Sequence, residues 1–289
     1  MEACGQLYLP YASRTDEFRI WPIADVHYAN RGCSVDKWKA DIEAIHDDPF
    51  SFWFGLGDLG EYISIDDKRF DPRVIGPDVD VSDLGDLGAF LCDRIYYRVK
   101  EQLRMHGHLL KMMGRRARRP IFDLQWASMF DLVFVRTPRR KTLPRLSLEH
   151  PKAKGDRGTS TIVRFAAEHG TGCSRTRGAK TNKLMSMKDR FDADVYVQAH
   201  LHTPQVEPWT TVGADQACRH ITAKNRLLLR TGPYLRTYTE GVLTYGEQGG
   251  YESTTLGATP IHIQPDRRRV WAKVGVTLSE DEPEAKETP

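Results

Sequence analysis

Two polar loops, each following a short apolar segment, constrain the possible folds of this chain more than any other feature of its sequence. Residues 18–23 (FRIWPI) predict a buried strand, and this strand runs directly into Asp25 and His27. Residues 52–54 predict a second buried strand, which is followed by two glycines and Asp58. Because side chains that follow neighbouring strands can meet at one edge of a sheet, the pattern predicts a polar site there.

The rest of the chain predicts an α/β protein with a β-rich second half. Ser34 can cap a helix in which apolar residues recur at helical spacing, at positions 35, 38, 42 and 45. A second helix is predicted over residues 87–103, and residues 61–80, rich in Asp, Pro and Gly, predict a surface loop. The order strand, loop, helix, strand favours a sheet with helices packed on it. Further strands are predicted at 109–113, 162–165, 195–198, 226–230, 241–245, 260–263 and 270–276.

The composition is that of one large domain. The chain has 289 residues, of which 40% are hydrophobic, and no Pro/Gly/Ser-rich linker divides it. We therefore expect a single domain over residues 1–278 and a disordered acidic tail over residues 279–289. The first residues lack the basic start and apolar run of a signal peptide, and nowhere do about eighteen apolar residues follow one another. Together with five scattered cysteines that form no C-x-x-C pair, these features predict a soluble cytoplasmic protein with reduced thiols and no membrane segment.

Two later predicted strands also end in histidine-containing loops. Residues 162–165 lead to His169, and residues 195–198 lead to His200 and His202. With the two earlier loops they supply two aspartates and four histidines. A pair of divalent cations that cleaves phosphate esters needs this mixture of hard oxygen ligands and imidazoles. Taken singly, a D-x-H or H-x-H motif indicates a hydrogen-bonded turn or an exposed loop more often than a metal site.

The order of these motifs resembles the calcineurin-like metallophosphoesterase family. In that family D-x-H follows the first strand, G-D the second, and H-G and then H-x-H follow later strands, as they do here. The resemblance extends from about residue 19 to residue 276. Segments 231–236, 245–247, 250–251 and 256–257 are similar to the closing strands of members found in bacteriophage and prophage genomes.

The resemblance implies a fold, a cofactor and an activity. The fold would be α/β, a four-layer αββα sandwich of two mixed β-sheets flanked by helices. The cofactor would be two divalent metal ions (Mn, Fe or Zn), and the activity would be hydrolysis of a phosphomonoester or phosphodiester, in the host cytoplasm if the protein is phage-encoded. The two aspartates and four histidines would bind the ions: Asp25, His27 and His202 the first, His169 and His200 the second, and Asp58 both.

Catalysis would then depend most on Asp58, because two cations repel each other and need a shared anion between them. For His169, a loop histidine beside a glycine is the alternative interpretation. The sequence indicates neither the natural substrate nor the oligomeric state.

One family motif is absent from the chain. The family carries G-N-H-E or G-N-H-D after its third strand, where Asn binds the second metal and His contacts the phosphate or protonates the leaving group. After residues 109–113 this chain instead reads Gly114, Arg115 and Arg116. Arg116 could neutralise phosphate charge, but it stays protonated and could not serve as a general acid. Arg115 is not a metal ligand.

Three interpretations of this departure remain open. In the first, the protein is an active enzyme with a rebuilt site, in which His106 or His108 replaces the missing acid. In the second, it is a relative with one metal or a weak second metal that binds phosphate-rich ligands without turnover. In the third, residues 115–160 are a stretch read out of frame, because their Arg, Pro, Leu and Ser content differs from that of their surroundings.

The basic segment over residues 115–145 also suggests a nucleic-acid partner. Its clustered arginines could neutralise backbone phosphates and release counterions. Trp126, Phe130 and Phe134 lie four residues apart, which favours a helix face packed on the core over a set of base-stacking side chains.

Overall fold

The structure is a computed structural model that describes residues 5–63, 65–68, 70–102, 128–136 and 160–275. Within these ranges the chain is mixed α/β, with two mixed sheets and several helices. Two short 3-10 helices, Pro72–Val74 and Val81–Asp86, lie between residues 55 and 87. The other elements in chain order are β1 (Gly5–Tyr11), β2 (Phe18–Ile23), α1 (Val35–Asp47), β3 (Ser51–Gly55), α2 (Leu87–Gln102), β4 (Ser128–Arg136), β5 (Ser160–Glu168), α3 (Arg177–Met185), α4 (Met187–Arg190), β6 (Val195–Gln198), β7 (Gln205–Ala214), β8 (Ile221–Arg230), α5 (Tyr245–Gln248), β9 (Ile261–Gln264) and β10 (Arg269–Ala272).

The direction of the strands brings several carboxyl ends to the same sheet edges. The larger sheet has the order β1-β4-β5-β6-β8-β7, and β5, β6 and β8 run parallel to one another. The smaller sheet has the order β10-β9-β2-β3, in which β2 and β3 run parallel. The loops that follow β2 and β3 therefore lie side by side, as do the loops that follow β5 and β6.

One apolar cluster combines side chains from both sheets. Phe18 and Phe54 of the smaller sheet belong to the same buried cluster as Phe134, Val195 and Leu229 of the larger sheet. Successive side chains of a strand point to opposite faces, so the residues next to these in each strand face away from the shared cluster.

The opposite faces of the two sheets pack against helices. Trp53 of β3 shares a cluster with Trp38 and Ile42 of α1, and with residues of α2. Tyr196 of β6 shares another with Leu184 of α3 and Met187 of α4. Strands buried on both faces have near-continuous apolar sequences, which explains why residues 18–23, 52–54 and 195–198 are mostly apolar.

Several sequence predictions are confirmed. The predicted α/β class agrees with the two mixed sheets and their helices. The helix expected after Ser34 begins at Val35, although the serine side chain makes no capping hydrogen bond there. The second helix begins at Leu87 as predicted, and β6 covers the predicted residues 195–198.

Two local predictions were wrong. Residues 241–245 form no strand; Thr239 and Val242 pair in an isolated bridge, and α5 begins at Tyr245. The Thr244 hydroxyl accepts a hydrogen bond from the backbone N–H of Glu247, so local capping prevails over β propensity. Phe130 and Phe134 lie in strand β4 rather than in a helix, because β4 pairs with both β1 and β5.

Other predictions fall on residues outside the described part of the chain. These are the strand at 109–113 and the acidic tail at 279–289. None of the helices that the structure describes is both long enough and apolar enough to cross a membrane.

Candidate metal centre

The six residues proposed as ligands follow the carboxyl ends of four strands. Asp25 and His27 follow β2, and Asp58 follows β3; His169 follows β5, and His200 and His202 follow β6. Several hydrogen bonds join the two sheets at this point, and two of them involve candidate ligands directly. The backbone N–H of His200 donates to Asp25 Oδ2 over 2.9 Å, and His169 Nδ1 donates to the carbonyl oxygen of Leu56 over 2.7 Å. The loops of both sheets therefore meet at one site.

The side chains form two groups of potential ligands. Asp25, His27 and His202 make one group, and Asp58, His169 and His200 make the other. In each group one ligand atom from every residue lies within 4.8 Å of the others. We call them the first group and the second group.

The Asp58 carboxylate connects the two groups. Its Oδ2 atom lies 3.0 Å from His169 Nε2 in its own group and 4.0 Å from His27 Nε2 in the first group. Asp25 Oδ1 lies 3.4 Å from His202 Nε2 and 3.9 Å from His169 Nε2. The groups are thus neighbours, and each of the two carboxylates lies within 4.0 Å of a histidine in both groups.

Five of the six candidate ligands have a left-handed backbone. The φ angles are 51° at Asp25, 50° at His27, 49° at Asp58, 68° at His200 and 49° at His202. Residues other than glycine rarely adopt this conformation, and it clusters at functional sites where the surrounding structure imposes it. The surrounding structure holds the backbone in this strained conformation, in which the polar side chains lie together at the strand ends.

A close approach at Gly57 positions His169. Gly57 has φ of 96°, and a Cβ atom there would lie 2.8 Å from His169 Nδ1. The glycine before Asp58 therefore permits both the turn and the packing of the imidazole against it.

Backbone carbonyls determine which nitrogens of two histidines carry protons. A carbonyl oxygen can only accept, so His169 carries a proton on Nδ1, which faces Leu56, and His200 carries one on Nε2, which lies 2.9 Å from the carbonyl oxygen of Gly172. The remaining nitrogens, His169 Nε2 and His200 Nδ1, face each other at 3.2 Å. When both rings are neutral, each of these nitrogens has a lone pair that could bind a cation.

The first group contains buried polar atoms without hydrogen bonds. Asp25 Oδ1 and His27 Nε2 are buried and make no hydrogen bond with any residue that the structure describes. Leaving such atoms unsatisfied costs about 1–3 kcal/mol each, and more for charged groups. A carboxylate oxygen and an imidazole nitrogen are both ligands that divalent transition metals accept, so the residues present fit a bound cation.

The charges of the site favour cations. Burial alone would raise the pKa of Asp25, but the charges of His202, His169 and His27 lower it below its ordinary value. Burial opposes the charged form of His27, but the hydrogen bond and charge of Glu61, together with the carboxylates of the site, raise the pKa of His27 to about 9. The carboxylates therefore stabilise positive charge at these positions.

The other residues predicted to act in catalysis lie outside the described part of the chain. His106, His108 and Arg116 fall within residues 103–127, which the structure does not describe. Of the basic segment over residues 115–145, the structure describes residues 128–136, which belong to β4. The proposed roles of these side chains stay predictions.

Sequence reasoning missed Glu61 and Asn30. Glu61 lies in the segment over residues 61–80 that the sequence predicts to be a surface loop, yet its side chain is only 16% exposed and its carboxylate contacts both His27 and Asn30. Glu61 could have been found from its position in the sequence, three residues after Asp58 in the same strand-end loop.

A scan of the sequence against protein-family models gives no match, and a search of curated proteins gives none either. The nature of the site therefore follows from its own residues and geometry.

Proposed function

We propose that this chain is a metal-dependent phosphoesterase that hydrolyses phosphomonoesters or phosphodiesters at a dinuclear metal centre. The observation that carries the proposal is the pairing of two ligand groups, each with one carboxylate and two imidazoles, around the Asp58 carboxylate. The proposed ligands are Asp25, His27, Asp58, His169, His200 and His202.

The donor set supports a pair of transition-metal ions. Each group offers oxygen and imidazole nitrogen ligands without a thiolate, a combination that suits Mn²⁺, Fe²⁺ and Zn²⁺. When bound, two such ions lower the pKa of a water, orient the phosphate and stabilise the negative charge that develops on it.

The residues of the chain prepare this site. The His200 backbone N–H holds one oxygen of Asp25 and leaves the other free for a cation. The carbonyl oxygens of Leu56 and Gly172 orient the imidazoles of His169 and His200. Preformed ligands of this kind reduce the reorganisation that the reaction requires.

We also propose that the two sheets pack face to face with helices on their outer faces, as a four-layer αββα sandwich. The support is that buried residues alternate between a cluster shared by both sheets and two clusters shared with helices. In this arrangement the metal centre lies where the loops of both sheets converge.

We expect hydrolysis to depend on added metal. After removal of metals by a chelator, the protein should release no nitrophenol from mono- or bis-nitrophenyl phosphate, and Mn²⁺ should restore the release. Turnover of the diester would indicate a phosphodiesterase or nuclease, and turnover of the monoester alone would indicate a phosphatase.

Two outcomes would count against this function. Equal turnover with and without the chelator would contradict a metal mechanism. Bound Mn²⁺ without turnover of either ester would favour the alternative in which the chain binds phosphate-rich ligands or nucleic acid without hydrolysis.

A further inference from the structure

Glu61 joins the loops that follow β2 and β3. Its backbone N–H donates to the carbonyl oxygen of Tyr28 over 2.8 Å, next to a parallel bridge between Tyr28 and Gly60. Its carboxylate Oε2 lies 3.2 Å from His27 Nδ1 and 3.0 Å from Asn30 Nδ2. One side chain thus contacts a proposed ligand and a neighbour of that ligand.

The direction of these hydrogen bonds is determined by Asn30. Its Oδ1 accepts from the backbone N–H of Gly32 over 2.8 Å, so its amide nitrogen must be the atom that faces Glu61. The Glu61 carboxylate can only accept, so His27 Nδ1 must donate to it and therefore carries a proton. His27 Nε2 is then the atom that faces Asp58 and the interior of the site, where it has no hydrogen bond to a described residue.

The three oriented histidines have different partners. His169 and His200 donate to neutral backbone carbonyls, whereas His27 donates to a carboxylate. A carboxylate partner makes the imidazole a better metal ligand and adds negative charge behind it. The first group, which contains His27, receives this support, and neither oriented histidine of the second group does.

We infer that Glu61 is a positioning residue that orients His27 and makes the first group the tighter of the two cation sites. The inference rests on the proposed dinuclear centre and adds to it an order of filling. At low metal concentration the first group fills, and the second group fills as the concentration rises.

The test is a Mn²⁺ titration followed by electron paramagnetic resonance of the free ion, which counts bound ions without any measurement of activity. The natural protein should bind one ion tightly and one more weakly. In Glu61→Gln the tight affinity should fall roughly 10–100-fold, and the weaker affinity should stay unchanged. Glutamine keeps the size of the side chain and an oxygen that accepts from Asn30, so the loop should remain folded.

Glu17 provides a matched control. Its carboxylate accepts from His262 Nδ1 over 2.7 Å, which makes a second histidine–glutamate pair, between β9 and the residue before β2, with neither residue among the candidate ligands. Glu17→Gln should therefore leave both affinities unchanged. His202→Ala should remove the tight ion, and His200→Ala should weaken the other.

The outcomes separate this inference from the proposed function. A natural protein that binds no Mn²⁺ would contradict the dinuclear centre itself. Two bound ions with unchanged affinities in Glu61→Gln would overturn only the role of Glu61. Equal weakening in Glu61→Gln and Glu17→Gln, or loss of the tight ion in His200→Ala, would also overturn it.

Discussion

Replacing Asp58 by asparagine is expected to lower the turnover of nitrophenyl phosphates by about a thousandfold or more. Asparagine has the shape of aspartate but no charge, so it removes the anion that lies 3.0 Å from His169 Nε2 and 4.0 Å from His27 Nε2. Two neighbouring cations repel each other, so the pair needs this anion. Charge stabilisation by metal ions contributes several kcal/mol to catalysis, and each 1.36 kcal/mol corresponds to a tenfold change in rate. The initial rate at a fixed Mn²⁺ concentration measures the effect.

Asp36→Asn is the control for this substitution. Asp36 is an exposed aspartate in the first turn of α1, and its only ion pair among the described residues is with Lys39 on the same helix. It should keep the natural rate, because an exposed pair of this kind contributes little. Wild-type turnover in Asp58→Asn would refute the bridging role of this carboxylate.

Saturation with Mn²⁺ is expected to raise the melting temperature by about 5–10 °C for each ion held at a hundredfold its Kd. A ligand that binds only the native state adds about 2.7 kcal/mol at that concentration, and each kcal/mol corresponds to about 2–4 °C for a large domain. Asp25→Asn should lose the contribution of the first group. Scanning calorimetry with and without the chelator measures both shifts.

Asp25→Asn is suited to this test because it should preserve the local fold. Asp25 is fully buried, and its Oδ2 accepts from the His200 backbone N–H, a bond that the asparagine side-chain oxygen can also accept. The variant therefore removes the charge and keeps the link between the sheets. An equal Mn²⁺ shift in the natural protein and in Asp25→Asn would show that the ions bind elsewhere.

The strands buried on both faces could be predicted from the sequence. β2, β3 and β6 are buried on alternating sides by different clusters, so their residues form apolar runs that local patterns reveal. Helix α1 could be predicted because Trp38, Ile42 and Ile45 pack on one side, against the smaller sheet.

Two of the missed strands, β1 and β7, share a physical character. β1 and β7 are the two edge strands of the larger sheet, and each contains a proline, Pro10 and Pro208. Proline cannot donate to a ladder and so argues against a strand in local sequence, yet an edge strand has one side without a neighbour and tolerates it. Only the assembled sheet reveals that these segments are edges.

The ligand candidates could be predicted from their positions after strands, but their surroundings could not. The contact of Glu61 with His27 depends on the parallel pairing of β2 with β3, which brings two loops more than thirty residues apart in sequence side by side. The hydrogen bond between His169 and Leu56 joins the two sheets, and these two residues lie 113 positions apart in the sequence. Such tertiary contacts leave no periodic pattern in the sequence.

The most direct measurement is anomalous X-ray diffraction from crystals soaked in Mn²⁺. We predict two anomalous peaks about 3.5–4 Å apart. One should lie at bonding distance from Asp25, His27 and His202, the other at bonding distance from His169 and His200, with Asp58 in contact with both. Soaked crystals without a peak among these six side chains would contradict the dinuclear centre.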